Sequence, residues 1–230
     1  MTVSRAWLSW RGRDLLTVSV AGQRADGDAA AQSRAAIARA LAEIVDAGFA
    51  PDHILRSRLW ARDAAARTAA SDERRAALAG GKRGGSASFF DAERFADSGD
   101  MIIDMIALRA PAAARKTIVE YDPPIAPPLF VALDGMVALS GNTDVSPAFA
   151  DQIKRIGDKI DRTLDKAGAA WPQVVTLSAF IAKSIDPAVA RAAIAARFPR
   201  LACPIEISSV VGFSAPEKLI EIETTADLRG

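Results

Sequence analysis

The sequence has few of the residues that build disulfides, metal centres or histidine-based active sites. It contains one cysteine, Cys203, so no disulfide can form within the chain, as is usual for a reducing compartment. Its one histidine, His53, follows a proline turn, where a solvated residue is more common than a catalytic one. No group of Cys, His, Asp and Glu has the spacing of metal ligands, so we expect no metal site.

Strong net charge and long apolar segments are missing as well. The formal net charge is +1 and the basic residues are dispersed, so we expect neither a nucleic-acid partner nor a membrane-surface partner. No stretch approaches the ~18 apolar residues of a membrane span, and the first residues lack the apolar run of a signal peptide. We therefore expect a cytoplasmic protein.

What the sequence does contain is an internal repeat with a period of about half its length. The first copy runs through "TVSVAGQRADG" and closes on "GDMIIDMIALRA", and the second runs through "MVALSGNTDVS" and closes on "EKLIEIETTADLRG". Four pairs of equivalent positions carry the repeat: Gly22 and Gly141, Gly48 and Gly168, Trp60 and Phe180, Asp104 and Glu223. The chain is thus predicted to be a duplicated domain.

Each half predicts the same α+β unit. It reads as a strand, a long helix, a strand, a second helix and two closing strands, which we expect to pair as an antiparallel hairpin. We predict a first, more divergent domain over residues 1–112, a proline-rich linker over 113–128 and a second domain over 129–230. Two helices cover one face of a sheet, so the bare faces should pack against each other, between domains or between chains, which predicts an oligomer.

Several charged residues are candidates for a site. Glu221 and Glu223 alternate with isoleucines, so both carboxylates should lie on one face of a strand, where Glu221 is either a general base or an ordinary surface carboxylate. Glu206 could face the same cleft, pair with an arginine or lie on the surface. Arg83 stands in "AGGKRGGS", which fits a mobile loop or a carboxylate-binding position. Ser140 could donate to a ligand or to the backbone.

The order of short motifs resembles the YjgF/RidA (reactive-intermediate imine deaminase) superfamily. The first half has "AGQ" at 21–23 and "LWARD" at 59–63, and the second has "SGN" at 140–142, "AG" at 167–168 and "IEIETTA" at 220–226. The resemblance implies two tandem domains of chorismate-mutase-like topology, each a mixed sheet with two helices on one face, usually assembled as trimers. It also implies hydrolysis of an imine or enamine without a cofactor, releasing ammonia.

The resemblance also assigns candidate residues. Glu221 takes the place of the glutamate that positions the attacking water, and Asn142 takes the place of a residue at the end of the first strand motif. The carboxylate-binding arginine of the family falls on Ile205 or Glu206, and Arg83 lies close to its place in the first domain. The predicted site is therefore Glu221 as catalytic residue with Arg83, Glu206, Ser140 and Asn142 binding a small carboxylate substrate.

Three functions are compatible with these residues. The first is an enzyme that adds water to an imine, enamine or related carboxylate. The second is a metabolite-binding protein without activity, because neither half has the complete set of family residues. The third is a hydrolase of a different substrate, whose pocket combines residues of both domains, for example Arg83 with Glu221.

Overall fold

The computed structural model describes residues 3–95 and 99–229 of the chain. It contains two α+β units in which helices and strands follow in the same order. The first unit contains the elements β1 (Val3–Trp10), β2 (Arg13–Ala21), α1 (Ala29–Asp46), β3 (Ile54–Ala61), α2 (Ala64–Ala77), β4 (Gly85–Phe90) and β5 (Met101–Leu108).

The second unit contains the elements β6 (Thr117–Val119), β7 (Phe130–Leu133), β8 (Met136–Leu139), β9 (Asn142–Thr143), α3 (Phe149–Lys166), β10 (Val174–Ala182), α4 (Pro187–Arg197), β11 (Ile205–Val210) and β12 (Ile220–Asp227). The strand order is β1-β2-β5-β3-β4 in the first sheet and β6-β7-β8-β12-β10-β11 in the second, with β9 alongside β12. Apart from β6 and β9, the two sheets have one topology, as expected for tandem α+β domains.

The two closing strands of each unit do not pair with each other, so the hairpin prediction was wrong. β3 lies between β4 and β5 and pairs with β4 in parallel and with β5 antiparallel; β10 lies in the same way between β11 and β12. A parallel pair needs a crossover connection, which α2 and α4 provide. The edge strand β1, which the sequence pattern did not predict, pairs with β2 along its whole length.

Part of the segment predicted to be a linker belongs to the second sheet. Thr117–Val119 forms β6 and pairs antiparallel with β7. The chain then runs through residues 120–128, which we call the strap, before it enters β7. The boundaries proposed for the two domains stay predictions.

The helix limits follow from local chemistry. Asp28 caps α1 by accepting from the Ala31 amide at 2.8 Å, and Gly48 after the helix has φ +81°, a conformation that favours glycine. Asp63 caps α2 in the same way through the Ala66 amide at 2.8 Å. The buried stripe predicted for α3 is confirmed, since Ile153, Ile156, Ile160 and Leu164 all lie in the second core.

The bare sheet faces pack against each other between the two domains. Phe89 of the first domain stacks on Phe180 of the second with ring centroids 4.1 Å apart, and Trp60 meets Phe180 edge-on at 5.6 Å. Such offset and edge-on contacts are favourable beyond the area they bury. The helices of each domain lie on the outer faces. No helix in residues 3–95 or 99–229 combines the length and apolar character needed to cross a bilayer.

Candidate functional site

A cavity of about 570 Å³ opens between the two domains. The first domain contributes residues of α2 and the start of β4, and the second contributes the strap, Gly141–Thr143 and Glu221 on β12. A concave space of this volume between domains is a common place for a small-molecule site.

Glu221 is placed in this cavity by the alternation of β12. Ile220 and Ile222 point into the core of the second domain, so Glu221 and Glu223 project from the opposite face of the strand. The Glu221 side chain is only 7% exposed and lies directly over Gly141. A Cβ atom at position 141 would stand 1.7 Å from Glu221 Oε1, so only glycine leaves room for this carboxyl group.

The surroundings of Glu221 favour its protonated form. Burial and the neighbouring Glu223 raise the pKa of Glu221 to about 8, against the opposing effect of Lys218, Arg74 and Arg67. Among the described residues, none forms a hydrogen bond or a salt bridge with the Glu221 carboxyl group. A buried carboxyl group that keeps its proton at neutral pH can act as a general acid.

Three cations lie near Glu221 without a carboxylate partner of their own. Arg67 and Arg74 project from α2, and Lys218 precedes β12; all three line the cavity. Arg74 Nη1 donates to the Ala87 carbonyl at 2.7 Å and Lys218 Nζ donates to Ser214 Oγ at 2.6 Å. None of the three forms a salt bridge with any described residue. With Glu221 protonated, the cavity is positively charged and suits an anion.

The structure brings three of the five predicted site residues to the cavity: Glu221, Arg83 and Asn142. Arg83 is already engaged, because it binds the Glu120 carboxylate with both terminal nitrogens and donates to the Ala126 carbonyl at 3.1 Å. Asn142 Nδ2 donates to the Ser140 carbonyl at 2.9 Å. Arg83 therefore fastens the strap to the first domain.

The other two predicted residues are not among those that line the cavity. Ser140 is fully buried, donates to the Pro128 carbonyl at 2.6 Å and accepts from the Ser86 amide at 3.2 Å, so its hydroxyl joins the two domains. Glu206 is exposed on β11 and accepts from Ser178 Oγ at 2.7 Å.

The cavity residues that sequence reasoning missed include Arg67, Arg74, Lys218 and Tyr121. The spacing of Arg67 and Arg74 places them on one face of α2, a signal that was present but also fits a solvated helix face. Tyr121 is the only tyrosine, and burial raises its pKa. Nothing in the local sequence marks Lys218.

Replacement of Gly141 by alanine tests how Glu221 is positioned. The added methyl group must displace the carboxyl group, and a shift of ~1 Å in a reacting group can lower activity about 100-fold. The measurement is kcat, together with the melting temperature of the folded protein. Gly22→Ala at the equivalent position of the first domain is the control, because its Cβ would meet Gln32 at 3.0 Å and not the cavity. Equal losses in both variants would contradict this role.

Parts of this chain are similar to known proteins. The family model described as Endoribonuclease L-PSP matches residues 111–228. A crystal structure of a YjgF/YER057c/UK114 family member from Mycobacterium tuberculosis is 22% identical, with a TM-score of 0.43, and covers 49% of this chain and 99% of its own. A conserved Rid family protein from Yersinia pestis is 20% identical, with a TM-score of 0.45, over 49% of this chain and 99% of its own.

A chorismatase crystal structure matches across both domains. It is 15% identical, has a TM-score of 0.62, and covers 96% of this chain and 77% of its own. At that identity the likeness shows the fold alone. No curated protein matches the chain. Because the family model matches just over half of the chain, and the two sheets repeat one topology, this protein belongs to the endoribonuclease L-PSP family within the YjgF/RidA superfamily.

Proposed function

We propose that the protein is a hydrolase of a small carboxylate metabolite, with Glu221 as the proton donor in the interdomain cavity. The observation that supports this most is a buried, protonated carboxyl group beside three cations without carboxylate partners. The cations would hold the substrate anion, and the carboxyl group would protonate the reacting atom.

Protonation of an enol ether is the reaction that best suits a glutamic acid of this kind. Glu221 would protonate the methylene carbon. Water would then add to the resulting cationic carbon and release a proton, which the Glu221 carboxylate would take up. Collapse of the hemiketal then gives an alcohol and a 2-oxo acid, with one water consumed. The chorismatase fold match over 96% of this chain makes chorismate the first enol ether to test.

Hydrolysis of a 2-imino acid is the second candidate, because Glu221 stands where the YjgF/RidA resemblance places the water-positioning glutamate. Water would attack the iminium carbon, and ammonia would leave to give a 2-oxo acid. In this reaction the ionised form of Glu221 accepts the proton of water. The rate should then rise with pH toward the pKa of about 8, whereas a reaction that uses the acid form should slow above it.

Two assays distinguish these functions. Chorismate is incubated with the protein and pyruvate is measured; separately, 2-imino acids are generated from amino acids in situ and ammonia release is measured above the spontaneous rate. We expect pyruvate formation that declines about tenfold per pH unit above pH ~8. If neither substrate reacts faster than in buffer, the metabolite-binding alternative replaces the hydrolase.

Assembly as a trimer and a cytoplasmic location stay predictions. The edge strand β1 supports an assembly, because Trp7 and Leu8 leave 54% and 58% of their surface exposed on a strand with one free edge. Light scattering of the purified protein measures the mass in solution directly.

A further inference from the structure

One face of α2 carries polar groups that have no partner in the described structure. Arg67, Ser71 and Arg74 are spaced at i, i+4 and i+7, so they lie along one side of the helix, and all three line the cavity. Arg67 Nε and Ser71 Oγ are buried without any hydrogen bond in the part of the chain that the structure describes. Buried donors are normally satisfied, so two of them beside a cavity point to a ligand.

The charges on this face are also unbalanced. Burial lowers the pKa values of Arg74 and Lys218, and the like charge of Arg67 lowers both further. Glu221, which also lines the cavity, mostly holds its proton at neutral pH because its pKa is about 8, so it compensates these charges little. Such an arrangement is costly in the empty protein and becomes favourable when an anion binds.

The two carboxylates of α2 are already paired with other cations. Asp72 lines the cavity but pairs with Arg75 at 2.8 Å, and Glu73 pairs with Arg34 of α1 at 2.5 Å. Asp63 is used as the helix cap through the Ala66 amide. No carboxylate of α2 is therefore left to neutralise Arg67 and Arg74.

We propose that Arg67, Ser71 and Arg74, which we call the α2 clamp, bind the carboxylate of the substrate. Two guanidinium groups supply forked donors that match a carboxylate, and the Ser71 hydroxyl supplies a third donor between them. The identity of the ligand as a substrate rests on the proposed function. In this arrangement the first domain binds the substrate carboxylate, and the second domain supplies Glu221. Arg83 takes no part, since Glu120 occupies its guanidinium group.

The test measures binding of pyruvate, an unreactive 2-oxo acid, by titration calorimetry, so that it does not depend on turnover. We expect Arg67→Gln and Ser71→Ala each to weaken binding about 10- to 100-fold, the usual loss for a hydrogen bond to a charged group. Arg67→Lys should recover only part of the affinity, because a lysine cannot donate in a fork. The melting temperature of ligand-free Arg67→Gln should not fall, because the variant removes a repelling charge.

Arg75→Gln is the matched control, because it removes one positive charge from the same helix and the same cavity lining, at a residue that is 61% exposed and paired with Asp72. Its affinity for pyruvate should stay within about twofold of the wild type. An equal loss in Arg75→Gln, unchanged binding in Arg67→Gln, or no binding to the wild type would overturn the clamp. If the clamp variants lose pyruvate binding but the wild type shows no turnover, the clamp is supported and the hydrolase function is rejected.

Discussion

Glu221→Gln is expected to lower kcat by ~100- to 10,000-fold and to leave the fold intact. Glutamine fills the space over Gly141 but has no acidic proton to transfer, so the shape of the cavity is kept while the acid is lost. The measurement is single-turnover or steady-state product formation with whichever substrate reacts, beside circular dichroism of the same sample.

The stability of this variant provides an independent check on the state of Glu221. The carboxyl ionises near pH 4.5 in the unfolded chain and near pH 8 in the folded protein, so the folded state holds one more proton between these values. The free energy of unfolding of the wild type should therefore fall as pH rises from about 4.5 to about 8. Glu221→Gln should lack this contribution and gain relative stability toward pH 8.

Glu206→Gln serves as the matched control for Glu221→Gln. Glu206 is an exposed glutamate in the same domain, and its carboxylate accepts from Ser178 rather than lining the cavity. Its variant should keep its activity. Undiminished turnover in Glu221→Gln, or an equal loss in Glu206→Gln, would reject Glu221 as the proton donor.

The fold was largely predictable because its evidence is local and appears twice. The alternation around Glu221 indicates a strand and its two faces, and the glycine after each long helix indicates where that helix ends. The second copy of the repeat provides the same evidence again. Strand order was not predictable in this way. β4 and β5 are consecutive in sequence, but β3 lies between them because α2 carries the chain across the sheet, and no local pattern records which strands become neighbours.

The sequence predicted Glu221, which lines the cavity, but not the three cations near it, and the catalytic role of Glu221 stays a prediction. Glu221 could be predicted because it alternates with isoleucines along its strand and because residues 220–226 resemble a motif of the YjgF/RidA superfamily. Arg67 and Arg74 stand on a helix whose other residues are mainly alanine and charged, a composition that fits solvent exposure equally well. They line a cavity only because the strap, Lys218 and Glu221 of the second half of the chain line the same space. Arg83 is the converse case, since Glu120, 37 residues later, engages its charge.

The second large effect is expected for Glu223→Ala, which should lower the free energy of unfolding by ~3–5 kcal/mol. Glu223 of the second domain is buried and holds two arginines of the first: its Oε2 lies 3.1 Å from Arg56 Nη1 and 2.7 Å from Arg58 Nε. Arg56 is itself only 3% exposed, so the truncation leaves a buried cation without its partner. Urea unfolding followed by tryptophan fluorescence measures the change.

Glu73→Ala is the control, because Glu73 also pairs with an arginine across two elements but Arg34, its partner, is 58% exposed. An exposed pair of this kind should contribute less than ~1 kcal/mol. Glu223 also helps to raise the pKa of Glu221, so in Glu223→Gln the decline of activity at high pH should begin at a lower pH. Similar losses of stability in Glu73→Ala and Glu223→Ala would show that the ion pairs of Glu223 with Arg56 and Arg58 do not hold the domains together. The cavity would then depend on the other contacts between the domains, such as the aromatic contacts around Phe180 and the hydrogen bond of Ser140.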